Sequence, residues 1–153
     1  TGVGGVVQTF TKNGRATSIY WSHETGAHRV ETWKGIGTRY SRLGGPAAFG
    51  LPAKDELPTS TAGAYQNFVR PGTTQTTKII WSAATGAQPV VETSAIGKQW
   101  ARDGHEAGSG YPTSPEVKTA AGAYQRFRTV KTGEITQYTW TRSTGKVVRA
   151  ALR

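Results

Sequence analysis

The chain repeats itself three times, and that periodicity limits what it can fold into more than any other feature. Gly5-Val6-Val7-Gln8-Thr9-Phe10 returns as Gly63-Ala64-Tyr65-Gln66-Asn67-Phe68 and again as Gly122-Ala123-Tyr124-Gln125-Arg126-Phe127, so G-x-x-Q-x-F occurs three times. A second block, W-[ST]-x-x-T-G, begins at Trp21, Trp81 and Trp140, spaced by 60 and 59 residues, while Gln8, Gln66 and Gln125 are spaced by 58 and 59. The slippage falls in the hairpin loops between the blocks. A third block occurs twice: Ile36-Gly37-Thr38-Arg39-Tyr40 through Gly44 pairs with Ile96-Gly97-Lys98-Gln99-Trp100 through Gly104. Gly50-Leu51-Pro52 follows in the first copy and Gly110-Tyr111-Pro112 in the second, with Glu56 and Glu116 each four residues beyond the proline. The units therefore run over 5–62, 63–121 and 122–153, the last stopping after its strands. Either the array is cut short there, or its two ends complete one another in space.

Each unit reads as a meander of short strands. G-x-x-Q-x-F is the first strand, and Asn13-Gly14 marks a hairpin into the strand that ends at Trp21. Ser22 to Gly26 is a second tight turn, where Ser22 and Thr25 can bond local backbone and Gly26 can take positive φ. A third strand follows near 27–31. Ile36, Tyr40 and Leu43, and then Ile96 and Trp100, recur at helical spacing, with Gly44 and Gly104 placed as C-caps. The links 45–62 and 104–121 contain proline and read as irregular. The expected fold is mainly β with short helices (α+β): tandem three-stranded antiparallel meanders, each with one short helix. Because such a unit cannot bury its apolar face alone, a propeller-like or pseudo-symmetric closed arrangement is expected.

Composition bounds the chemistry. With 153 residues, 35% of them hydrophobic, and 20 glycines, the chain suits one domain with a lean core and many turns. Cysteine is absent, which excludes disulfides, thiolate metal sites and a thiol nucleophile. The chain starts at Thr1 and has no methionine, so a processed or excised segment is expected. No run approaches the roughly twenty apolar residues that cross a bilayer, so membrane insertion is not expected. The net charge is +10 and uneven: Lys118, Arg126, Arg128, Lys131, Arg142, Lys146, Arg149 and Arg153 face Glu134 alone. An anionic partner fits that field, but charge alone does not specify nucleic acid.

Several residues could contact a ligand. Trp21, Trp81 and Trp140 could stack on sugars, although a bulky residue repeated in every unit is more often a packing anchor, as are Phe10, Phe68 and Phe127. Aromatics that do not recur are better placed for exposure: Trp33, whose counterpart is Thr93, and Tyr20, opposite Ile80 and Thr139. Gln66 and Gln125 carry amides suited to sugar hydroxyls, or equally to neighbouring backbone. His28 and Gln88 follow equivalent turn glycines and can hydrogen-bond, and Lys146 takes the same place in the third unit. Glu56 and Glu116 are the only recurring carboxylates, but their loop positions favour structural bonds over glycosidase chemistry. His23 and His105 lack companion ligands, so no metal site or cofactor is expected, and no nucleophile elbow, phosphate loop or H-E-x-x-H is present.

Together, G-x-x-Q-x-F, the block from Ile19 to His28, the helix, and Gly50-Leu51-Pro52 with Glu56 resemble the LGFP-repeat family over nearly the whole chain. The family's tetrapeptide stands here as Phe49-Gly50-Leu51-Pro52 and as Ser109-Gly110-Tyr111-Pro112. The resemblance implies a secreted, cell-wall-associated module of actinobacteria, appended to mycoloyltransferases and other exported hydrolases and holding them to arabinogalactan. It brings no catalytic residues, so a non-enzymatic role is expected. The competing reading is a small secreted protein that binds another protein, such as a protease or an enzyme it regulates. A β-branched residue in place of Gly26 should cost about 1 kcal/mol or more if the turn there is left-handed. An unchanged melting temperature in Gly26→Val would refute that turn.

Overall fold

In a computed structural model describing residues 2–153, Asn13 and Gly14 take φ values of 51° and 72°. That is the geometry of a two-residue turn between strands, and it joins β1 (Val6–Lys12) to β2 (Arg15–Ser22). Ser22 Oγ then accepts from the Thr25 N–H at 3.0 Å and bonds Thr25 Oγ1 at 2.7 Å, and Gly26, at φ 78°, turns the chain into β3 (Gly26–Glu31). The three strands form one antiparallel sheet with Gln8 opposite Ile19 and Tyr20 opposite His28.

Helix α1 (Gly35–Arg42) buries Ile36 and Tyr40 on one face and ends at Gly44, whose left-handed φ of 108° allows the chain to leave the helix. The following link is more ordered than its sequence suggests. It holds a second short helix, α2 (Gly45–Phe49), then β4 (Leu51–Pro52) and β5 (Leu57–Pro58). Five helical residues carry no readable period, and two-residue strands exist only because the next sheet recruits them. Both pair with β6 (Ala64–Val69): Pro52 lies opposite Phe68, and Leu57 opposite Tyr65.

With β7 (Thr76–Ser82) and β8 (Gly86–Val91), these strands complete a five-stranded second sheet. The plan then repeats as α3 (Ala95–Arg102), α4 (His105–Ser109), β9 (Tyr111–Pro112) and β10 (Val117–Lys118). A third sheet follows, built on β11 (Gly122–Arg128), β12 (Ile135–Thr141) and β13 (Lys146–Leu152). The segment from each long helix to its paired strands is a helix-and-strap block that one unit contributes to the next.

The two hydrophobic cores lie between units. In the first, Tyr20 and Val30 of the first sheet meet Ile36, Tyr40 and Leu51 of the block, and Phe68, Ile79 and Ala87 of the second sheet. In the second, Ile80, Val90, Ile96, Trp100 and Tyr111 meet Ala123, Phe127 and Tyr138. Ile79 and Ile80 are neighbours on β7, both are fully buried, and each belongs to a different core. Since successive strand residues point to opposite faces, the middle sheet is covered on both sides. The three units are joined in a row by these junctions, and the described residues make no closed barrel or propeller.

The junctions repeat in detail. Tyr40 stacks on Phe68 with ring centroids 4.4 Å apart, and its Oη donates to the Gly50 carbonyl at 2.7 Å. Trp100 stacks on Phe127 at 5.8 Å, and its Nε1 donates to the Gly110 carbonyl at 3.0 Å. Two different aromatic residues thus fill one role. At the second junction the Tyr138 hydroxyl donates to Asp103 at 2.7 Å. Burial alone would push the Asp103 carboxyl up, but hydrogen bonds from Tyr138 and Gln99, with Arg149 alongside, hold it below the usual carboxylate range.

Gly50 and Gly110 explain the glycine of the family tetrapeptide. Gly50 sits at φ 81° and ψ −151°, a region essentially reserved for glycine, and a Cβ there would lie 2.0 Å from the Val69 carbonyl oxygen. At Gly110 the added atom would lie 1.9 Å from the Arg128 carbonyl oxygen. Gly50→Ala should therefore lose about 1–3 kcal/mol from backbone strain alone, and more from the clash with the next sheet. Thermal unfolding checks this: the melting temperature should drop by roughly 2–4 °C per kcal/mol, and an unchanged one would contradict the close approach.

Candidate functional site at the unit junctions

One half-open cleft is built twice, once at each junction. The first, about 310 Å³, is lined by Lys34, Gly35, Ile36, Glu56, Ala64 and Trp81. The second, about 230 Å³, is lined by Ser94, Ala95, Ile96, Glu116, Lys118, Ala123 and Trp140. Their walls correspond position by position. The start of a unit's long helix forms one wall, the strap glutamate another, and the tryptophan ending the next unit's second strand a third.

Local structure fixes each wall. Trp81 precedes the Ser82–Gly86 turn, whose bonds match those of the first unit: Ser82 Oγ accepts from the Thr85 N–H at 3.2 Å. Its ring packs so closely on α1 that a Cβ on Gly35 would sit 2.8 Å from Trp81 Cδ1. Glu56 Oε1 lies 3.7 Å from Lys34 Nζ, and Glu116 pairs with Lys118. The lysines come from different places, since Ser94 stands where Lys34 would recur and Pro58 where Lys118 would. Each cleft nonetheless keeps one ammonium beside its carboxylate.

An indole flank with a carboxylate and an ammonium suits a polyhydroxylated ligand. The ring covers C–H surface, the carboxylate accepts from hydroxyls, and the ammonium donates to them. The two glutamates line separate clefts, so they are not placed as a carboxylate pair about one bond. Among the described residues no group of three or more His, Cys, Asp or Glu is gathered as a metal site, and no helix is long and apolar enough to cross a membrane.

The other candidate residues are scattered. Tyr20, expected to be exposed, is instead buried in the first core, edge-on to Tyr40 at 6.0 Å, because it faces its own unit's helix. Burial raises its hydroxyl pKa. Gln66 and Gln125 are not free for a ligand either. Gln66 Nε2 donates to the Arg29 and Lys54 carbonyls, both at 2.8 Å, and Gln125 Nε2 donates to those of Pro89 and Ser114 at 2.8 and 2.9 Å. Each amide ties a sheet to the preceding unit.

Trp33 is exposed, with the Arg15 guanidinium 4.5 Å from its ring centroid and its Nε1 donating to Glu31 at 2.9 Å. His28 Nε2 lies 2.9 Å from the Thr25 carbonyl oxygen, and Gln88 accepts from Arg39 at 2.8 Å. Trp21, the equivalent of Trp81 and Trp140, is exposed. Of the candidates, only Trp81 and Trp140 line the repeated cleft, one in each copy. Glu56 and Glu116, set aside as structural in the sequence, join them there. Their recurrence at one distance from the proline was the available signal.

The LGFP repeat model matches residues 1–47 and 49–108. The chain belongs to the LGFP-repeat family. The match spans the first unit and the second as far as residue 108; the third meander lies beyond it and is tied to them by its register, with Gln125 opposite Tyr138 as Gln66 is opposite Ile79. No curated relative matches the chain.

Proposed function

We propose that this LGFP-repeat chain is a non-catalytic, secreted module that binds cell-wall glycan of the arabinogalactan type. The observation that supports the reading is the duplicated junction cleft, where a recurring tryptophan and a recurring glutamate face the same helix start. A site repeated at a fixed step along the molecule matches a ligand that itself repeats, and two weak sites on one polymer gain by avidity. The surplus of cations in the third unit adds attraction to any anionic polymer, but a contribution of that kind fades with salt.

Retention on isolated arabinogalactan at low and physiological salt tests the proposal. The chain should be retained at both, release no sugar, and lose about tenfold or more in apparent affinity when either Trp81→Ala or Trp140→Ala leaves one cleft. The double variant should lose retention. Binding that vanishes with salt, or that survives the double variant, would remove the clefts from the account. A stoichiometric complex with a secreted enzyme or protease, formed without glycan, would favour a protein-binding role.

A further inference from the structure

The front face of the first sheet carries apolar residues at the repeat positions that form the junctions in the other two, yet it is exposed. Val6, Phe10, Ile19 and Trp21 are 62, 50, 41 and 49% exposed. By register and repeat position they correspond to Ala64, Phe68, Ile79 and Trp81, of which Phe68 and Ile79 are fully buried. Gln8 shares this face at the position where Gln66 and Gln125 each donate to two carbonyls of the preceding unit. Among the described residues, no strand pairs with the outer edge of β1. The first sheet has three strands, whereas the other two gain a fourth and fifth from a strap that pairs with their first strand.

The geometry points to this face as a docking surface for the helix-and-strap block of another LGFP unit. Each requirement has its counterpart at both internal junctions: an aromatic ring from the block for Phe10 to stack on, a strap carbonyl from the block and a carbonyl from the third strand of the same unit for Gln8, and two short strands for the edge of β1. The approach to the sheet is also laid in the same way. Val3 packs against the first core, where Leu51 lies, as Thr61, its counterpart one unit on, bonds the Tyr111 hydroxyl at 2.7 Å in the second. A second copy of this chain does not offer such a block, because both of its own are already covered by their own following sheets. Docking would also set Trp21 against a helix start and a strap glutamate, which makes a third cleft.

The test compares the 153-residue chain with one in which residues 5–62 are duplicated ahead of Gly5, using hydrogen exchange and thermal unfolding. In the extended chain, amides of β1 should exchange about tenfold or more slowly than in the original. Phe10→Asp should lower the melting temperature of the extended chain by roughly 5 °C or more and leave that of the original nearly unchanged. Equal exchange in both chains, or Phe10→Asp neutral in both, would overturn the assignment. So would an original chain that sediments as a dimer and becomes monomeric with Phe10→Asp, since the face would then serve self-association. None of these readouts involves glycan, so the outcome stands apart from that of the binding proposal.

Discussion

The stacking of a helix aromatic on the first-strand phenylalanine of the following unit is the contact on which the rest of the molecule depends. Tyr40 on Phe68, and Trp100 on Phe127, place large rings where no single sheet could cover them. A three-stranded meander needs its hydrophobic face covered to be stable, here by the neighbouring unit, and burying an aromatic ring contributes on the order of a few kcal/mol. The apolar driving force is therefore spent between units. A unit is defined less by its own interior than by what it offers on its two faces, and the middle sheet, with Ile79 and Ile80 in opposite cores, shows both at once.

Close packing across a junction requires the backbone groups there to be satisfied. The helix aromatic reaches past the core to the carbonyl of Gly50 or Gly110, and the buried glutamine of the next sheet serves two more carbonyls. An unpaired buried carbonyl or amide costs about 1–3 kcal/mol, so these side chains fix the register of one unit on another as well as its affinity. The glycine of the tetrapeptide belongs to the same arrangement, since only a residue without Cβ lets the strap lie against the next strand. The clefts are what remains where helix start, strap and strand end meet. Their chemistry recurs because the junction recurs.

Much of this was legible in the sequence. The strands, the Asn13-Gly14 hairpin, the left-handed Gly26 and the helices carrying Tyr40 and Trp100 all follow from local signals. The second helix and the strap strands were not, because Gly45–Phe49 is one turn long and Leu51–Pro52 becomes a strand only by pairing with β6. The site was legible in part. Repetition marked Trp81 and Trp140, but it could not separate a ring at the mouth of a cleft from one inside a core. Tyr20 misled because its non-recurrence reflects different core partners, Tyr40 in its own junction and Trp100 beside Ile80 in the next. Phe10 misled the other way, since recurrence predicts burial only where a preceding unit is present to cover it.

If the cores belong to junctions, weakening one aromatic stack must loosen the sheets on both sides of it. Native-state hydrogen exchange on Tyr40→Leu, which keeps apolar bulk but removes the ring stack and the bond to Gly50, measures this directly. The account predicts that amides of β6 and β7 lose protection together with those of α1 and β2, while the third sheet is much less affected. Lost protection confined to α1 and the first sheet would contradict it, for each unit would then be holding its own core.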